Sequence, residues 1–249
     1  ALLPGLAEEF MIAFARVGAL VMLLPGLGER ALPVRQRLAL AVMLTLLVLP
    51  GVRETLAAQP GWAVGRLLAE AMIGLSLGLA ARFALAAMEV AGPLISQTLG
   101  LSMAMVLDPS RGQQGDALTG LLRMLGVVLI FASDLHHVAL AGIVGSYEAL
   151  PVGGAPGSAD LLALVVRLTG EVFHMGLKIA APFLVFGLVF NVGLGLASKL
   201  APQLQLFFLA TPASILLGFG ALVLVLGLTG QQFTAFMGHV LALLFPGVR

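Results

Sequence analysis

The sequence predicts an all-α protein associated with a membrane and held in an assembly, and three observations predict it. Of its 249 residues 60% are apolar and 10% charged, with a mean hydropathy of +1.09, where a soluble domain carries about a quarter charged residues. The apolar residues run in long helical stretches, separated by short segments rich in Pro, Gly or charge. Trp62 is the only Trp and Tyr147 the only Tyr, so the aromatic belts that anchor a protein at the bilayer surface are nearly absent. Anchoring by other proteins is expected instead.

The elements follow in order. A spanning helix needs about 20 apolar residues. Phe10 to Gly28, which encloses Arg16, and Leu38 to Val52 are weak candidates. Between them GLGERALPVRQR carries Arg30, Arg35 and Arg37, a positive loop that favours the cytoplasmic side if the neighbouring helices are ordinary spans. After the break PGVRETLAAQPG, a helical pattern runs from Ala63 to Leu107 and would extend about 67 Å at 1.5 Å per residue. The apolar layer of a bilayer is about 30 Å thick, and Gly92-Pro93 is expected to break so long a rod. SYEALPVGGAPGSAD and SKLAPQLQ are further breaks. The clean candidates for spans lie within Ile179 to Ser198 and Leu200 to Val248, the second free of Lys, Arg, Asp and Glu. No repeat is visible, and a single domain over 1–249 is expected.

Between Arg53 and Lys178 the apolar pattern is interrupted by Arg66, Glu70, Arg82, Glu89, Arg123, Asp134, Arg167 and Glu171. Each would cost about 2.5–3.5 kcal/mol at the centre of lipid, so they must pair or face protein or water. Spacing supports pairing: Arg66 and Glu70 are four apart, and Arg167, Glu171, His174 and Lys178 share one helix face. Helix-surface pairing inside an assembly is preferred to a proton relay. Glycines at 74 and 78, and Gly187, Asn191 and Gly195 at four-residue spacing, allow close approach of helices.

Several functions are excluded or disfavoured. Thirteen Lys and Arg balance twelve Asp and Glu with no basic stretch, so nucleic acid is not an expected partner. There is no cysteine, hence no disulfide framework and no thiol chemistry. No nucleophile elbow, zinc-protease motif, P-loop or dinucleotide fingerprint is present, and no catalytic residue or cofactor is expected. Asp134, His136 and His137 form the only cluster with acid–base character. Because neighbours in sequence point to different faces of a helix, a shared metal is not expected there. Glu89 and Asp108 lack a second carboxylate to complete an oxygen cage. The sequence opens on Ala1 rather than Met, so a leader is not readable from it.

The stretch LSMAMVLDPSRGQQGDAL is a polar, glycine-bearing loop between two apolar helical segments. Met side chains are flexible and polarizable and can seal an irregular gap, while Gly112 and Gly115 permit movement. An ordinary exposed connection is the competing reading of the same residues.

The ordered combination of F-x-x-x-F-A-R-V-G-A-L-x-x-x-L-P from Phe10, L-P-V-R-Q-R-L-A-L-A, G-L-S-L-G, V-A-G-P-L-I-S-Q-T-L-G-L-S-M-A, the Asp108-Pro109 turn, G-S-Y-E-A-L-P-V-G and A-P-Q-L-Q-L-F-F-L resembles the FliR family. These are flagellar export-gate subunits related to the SctT subunits of virulence type III secretion, and the flagellar branch is preferred. The resemblance covers nearly the whole chain. It implies long bent helical hairpins in a closed spiral with FliP- and FliQ-like subunits, an FlhB-like switch subunit nearby, and a place in the flagellar basal body at the bacterial inner membrane. Unfolded polypeptides would be the substrate, driven by the proton motive force and an associated ATPase. It also implies a pore plug formed by Met103, Met105, Val106, Leu107, Asp108, Pro109, Ser110, Arg111, Gly112, Gln113 and Gln114. Met105, Val106 and Leu107 stand where aromatic residues sometimes precede the Asp-Pro turn. Expected helix or subunit contacts are Arg16, Arg66, Glu70, Gly74, Gly78, Arg82, Glu89, Arg167, Glu171, Lys178, Pro202 and Gln203. The rival readings are a secondary transporter for a small solute, with Arg16, Glu89 or Asp134 at a midplane site but without the internal duplication common in such proteins, and a scaffold with no pore contact.

Overall fold

A computed structural model of the chain describes residues 3–28, 33–58, 63–101, 117–153, 157–200 and 206–245. Among them are seven α-helices and no strand: α1 Leu3–Leu23, α2 Val34–Ala58, α3 Ala63–Leu99, α4 Ala117–Ala132, α5 Leu135–Ala149, α6 Ser158–Leu200 and α7 Leu206–Leu244. The expected all-α class is observed. At 37, 43 and 39 residues, α3, α6 and α7 are each longer than the roughly 20 residues that cross a bilayer.

Length and composition qualify four helices as membrane spans: Val34–Leu56, Val64–Leu99, Ala159–Leu200 and Ala210–Leu244. Two corrections follow. The Phe10 to Gly28 candidate becomes α1, whose Ile12, Ala13, Val17, Leu20 and Val21 are buried inside the chain's own core. Conversely Val64–Leu99 qualifies although its charges argued against it, because at most two fall in its most apolar 18-residue window, and 56% of that window is buried. The corresponding windows of α2, α6 and α7 are only 22%, 22% and 28% buried, so their apolar side chains are left for something outside this chain to cover.

The break expected at Gly92-Pro93 does not occur; α3 runs through Pro93. Proline removes one donor, the N–H that would reach the Glu89 carbonyl. Burial of Ala91, Gly92 and Ile95 on the other side of the helix and the close fit of Gly92 against Thr119 hold the flanking turns in line. The helix also ends at Leu99 rather than Leu107, and the cause is local. Gly100 takes φ +80°, a left-handed conformation that costs glycine nothing. The Leu101 N–H donates to the Ser96 carbonyl (3.0 Å) and the Gly100 N–H to the Gln97 carbonyl (3.2 Å), the double bond pattern of a Schellman cap. At the junction of α4 and α5, Asp134 is left-handed without being glycine, at φ 58° and ψ 11°.

The chain packs as two compact units. The first comprises Ala1–Leu85, Ile130–Gly170 and Phe236–Arg249; in it α1 lies along α2, and Phe245 fills the space beside Gly142. The second comprises Ala86–Leu129 and Glu171–Ala235. Its helices approach closely where Gly176 meets Val90, Gly187 meets Thr98 and Gly218 meets Leu99, and Phe183 and Phe233 are buried. Of the glycine ladder on α6, Gly187 makes such a contact, whereas a side chain at Gly195 would meet nothing and Asn191 is exposed. Asn191 Nδ2 donates to the Gly187 carbonyl of its own helix (2.8 Å).

Candidate functional site

The first unit is organised around a dry ion pair. Arg16 on α1 and Glu70 on α3 are both fully buried, and the guanidinium grips the carboxylate with two bonds, Nε to Oε2 at 2.6 Å and Nη2 to Oε1 at 3.0 Å. A bidentate pair of this kind combines Coulomb attraction with a fixed planar geometry. It differs from expectation: the i,i+4 partner foreseen for Glu70 was Arg66, which instead bonds the Leu56 carbonyl and lies 3.8 Å from Glu8. Desolvation decides the exchange. A carboxylate with no exposure needs a partner that covers both oxygens, and only the residue across the helix interface can supply one.

Further bonds surround the pair. Arg16 Nη1 donates to the carbonyls of Ser146 (2.9 Å) and Leu150 (2.8 Å), the last turn of α5 and its cap. The Gly153 N–H donates to Glu70 Oε1 at 3.0 Å. The Tyr147 ring lies under the guanidinium, 4.1 Å from its carbon, a cation–π arrangement, and Tyr147 Oη sits 3.4 Å from the Ala13 carbonyl. The pair therefore ties α1, α3, the end of α5 and the following loop into one node. Sequence reasoning treated Tyr147 only as a missing anchor and did not foresee the roles of Ser146, Leu150 and Gly153; the compact motif G-S-Y-E-A-L-P-V-G was the available signal.

Gly74 and Gly78, one and two turns beyond Glu70, make the node possible. A side chain at Gly74 would strike the Arg16 carbonyl, and one at Gly78 would come within 2.8 Å of Leu23 Cβ. The α1 backbone can thus sit directly on α3.

The other charges are arranged differently. In the second unit Glu89 and Arg123 pair at 3.3 Å and stay 44% and 33% exposed. Arg53 bonds Glu9 at 2.9 Å near the surface. Arg167 and Glu171 are both engaged. Arg82 and Lys178 project into the surroundings of their helices. Asp134, His136 and His137 do converge, with one donor atom from each lying within 4.8 Å of the others, contrary to the expectation that adjacent histidines diverge. The left-handed Asp134 starts a new helix there and the two imidazoles face each other at 4.0 Å. This is a donor set suited to a divalent transition metal, but Asp134 and His137 are 80% and 70% exposed, so water competes at their donors. Arg16 is fully buried and four of its five N–H groups are bonded within the chain, so it does not present its charge to a solute. Met103 to Gln114, Pro202 and Gln203 lie outside the described residues.

Long apolar helices, a fully buried internal ion pair and uncovered helix faces define an integral membrane subunit of a larger assembly. Residues 7–240 match the family model of the bacterial export proteins, family 1, and the chain belongs to that family. It is 39% identical over 218 residues to the flagellar biosynthetic protein FliR of Caulobacter vibrioides, covering 86% of this chain and 87% of that one. It is 30% identical over 241 residues to FliR of Pectobacterium carotovorum, covering 96% and 90%, and 30% identical over 204 residues to FliR of Escherichia coli, covering 82% and 78%. The family is one of bacterial export proteins.

Proposed function

We propose that this chain is a subunit of the flagellar type III export gate in the bacterial inner membrane, where it forms with FliP- and FliQ-like subunits, beside an FlhB-like switch, the channel for unfolded flagellar proteins. The observation that carries the reading is the family match over residues 7–240, together with flagellar biosynthetic relatives that cover most of the chain. The long, mostly uncovered α6 and α7 support it physically. Their apolar faces stay stable in contact with lipid or other apolar helices, while the exposed Lys178 of α6 calls for protein or water.

The segment 101–116 is the proposed plug. It follows the glycine-capped end of α3 and precedes α4, and its Met103, Met105, Val106 and Leu107 provide an adaptable apolar seal. It occludes the pore at rest and moves aside when a chain is threaded. Deleting residues 106–113 in the assembled complex is expected to raise ion leakage across the inner membrane; leakage equal to that of the parent would refute the plug. Purification from membranes tests the assembly itself: the chain should be recovered with unlike subunits, and recovery as an active homo-oligomer would refute the gate.

A further inference from the structure

From the first unit we infer a docking face on α3 for one apolar helix of an unlike subunit, a helix that carries a single carboxylate. The inference rests on the export-gate reading and adds to it the place and the chemistry of one contact. Val64, Leu68, Met72, Leu75, Leu79 and Arg82 are all exposed. Their spacing of four, four, three, four and three residues sets them in one line along α3, about 27 Å long at 1.5 Å per residue. Five members are large and apolar; the sixth is a cation.

Arg82 decides the occupant. Glu70 on the same helix is matched by Arg16 and Glu89 by Arg123, yet Arg82 has no ion-pair or hydrogen-bond partner among the described residues. It lies within the apolar span Val64–Leu99, where an unmatched charge is strongly disfavoured in hydrocarbon. A carboxylate on the covering helix satisfies it, and a guanidinium fork binds that group bidentately. The shape beside the line suits a helix better than acyl chains. Leu79 also borders an apolar groove of about 140 Å³, floored by Ser76 and Ala80 of α3 and walled by Leu164 and Leu168 of α6. Small residues four apart let a second helix approach closely, and the groove takes one of its side chains.

The test uses the complex purified from membranes. A photo-crosslinking amino acid at Leu75 or Leu79 should give an adduct with an identified unlike subunit, mapped to a helix with one Asp or Glu. Arg82→Glu should lower recovery of that subunit at least tenfold, Arg82→Lys should largely retain it, and changing the mapped carboxylate to Lys should restore recovery with Arg82→Glu. Arg82 is exposed, so these variants leave the chain's own core untouched, and the crosslink reads the contact without altering the charge. Adducts with lipid alone or with a second copy of this chain would overturn the inference. So would full recovery of the complex with Arg82→Glu, and in that case the export-gate reading would stand. If the parent chain carried no unlike subunit at all, both readings would fall.

Discussion

Replacing one partner of the Arg16–Glu70 pair should damage the protein more than replacing both. Changing Glu70 to Leu leaves a guanidinium with no exposure, bonded to two carbonyls and stacked on Tyr147 but without its counter-charge. Changing Arg16 to Met leaves a buried carboxylate with only the Gly153 N–H. Breaking a buried pair in this way costs about 3–5 kcal/mol, so the two single costs sum to about 6–10 kcal/mol on the same estimate. The double variant buries no charge. It strands the Leu150 carbonyl and the Gly153 N–H, both only partly buried, at about 1–3 kcal/mol each, and the Ser146 carbonyl keeps its bond from the Leu150 N–H (3.0 Å). These two groups together cost about 2–6 kcal/mol, so the double variant should fall short of additivity by about 4 kcal/mol, just above the roughly 0.5–3 kcal/mol usual for residues in direct contact. Denaturation of the detergent-solubilised chain, followed by circular dichroism and by the fluorescence of the single Trp, measures all four corners of the cycle. Single costs below about 1 kcal/mol, the level of an exposed pair, or strict additivity would refute the picture of a dry, interdependent node.

Other substitutions probe the same logic. Gly74→Ala should cost about 1–3 kcal/mol by pushing α1 off α3, while Gly65→Ala, where a side chain would meet nothing, should gain up to about 1 kcal/mol; the same denaturation assay compares them. Glu89→Gln should change stability by less than about 1 kcal/mol, because the Glu89–Arg123 pair is 44% and 33% exposed, and a larger loss would mean that the pair is covered in the assembly. Gly100→Ala should cost about 1–2 kcal/mol, since the cap requires a left-handed residue, with the loss visible as a lower midpoint in the same assay.

Helix content and membrane class were legible because they depend on composition and on long apolar runs, which are properties of neighbouring residues. Gly74 and Gly78 were legible as a packing signal for a related reason: four-residue spacing on a helix is already a statement about one face. The end of α3 was misplaced by eight residues because the apolar pattern continues past Leu99 while one glycine conformation, reinforced by two backbone bonds, stops the helix. The break at Gly92-Pro93 was misjudged for the opposite reason, since packing against Thr119 holds a turn that proline weakens. The convergence of Asp134, His136 and His137 was missed because it arises from a left-handed residue at a helix junction, which no periodicity announces.

The amino-acid sequence by itself determined that this chain is helical, that it belongs among apolar surroundings, and that its ionised groups need shelter. Only the tertiary structure decided which groups shelter each other: Glu70 lies four residues from Arg66 yet binds Arg16, 54 positions away. Local spacing brings charges into reach at little cost when water is present. Once a carboxylate is removed from water, its partner is set by which helix can cover both oxygens, and that depends on how whole helices pack.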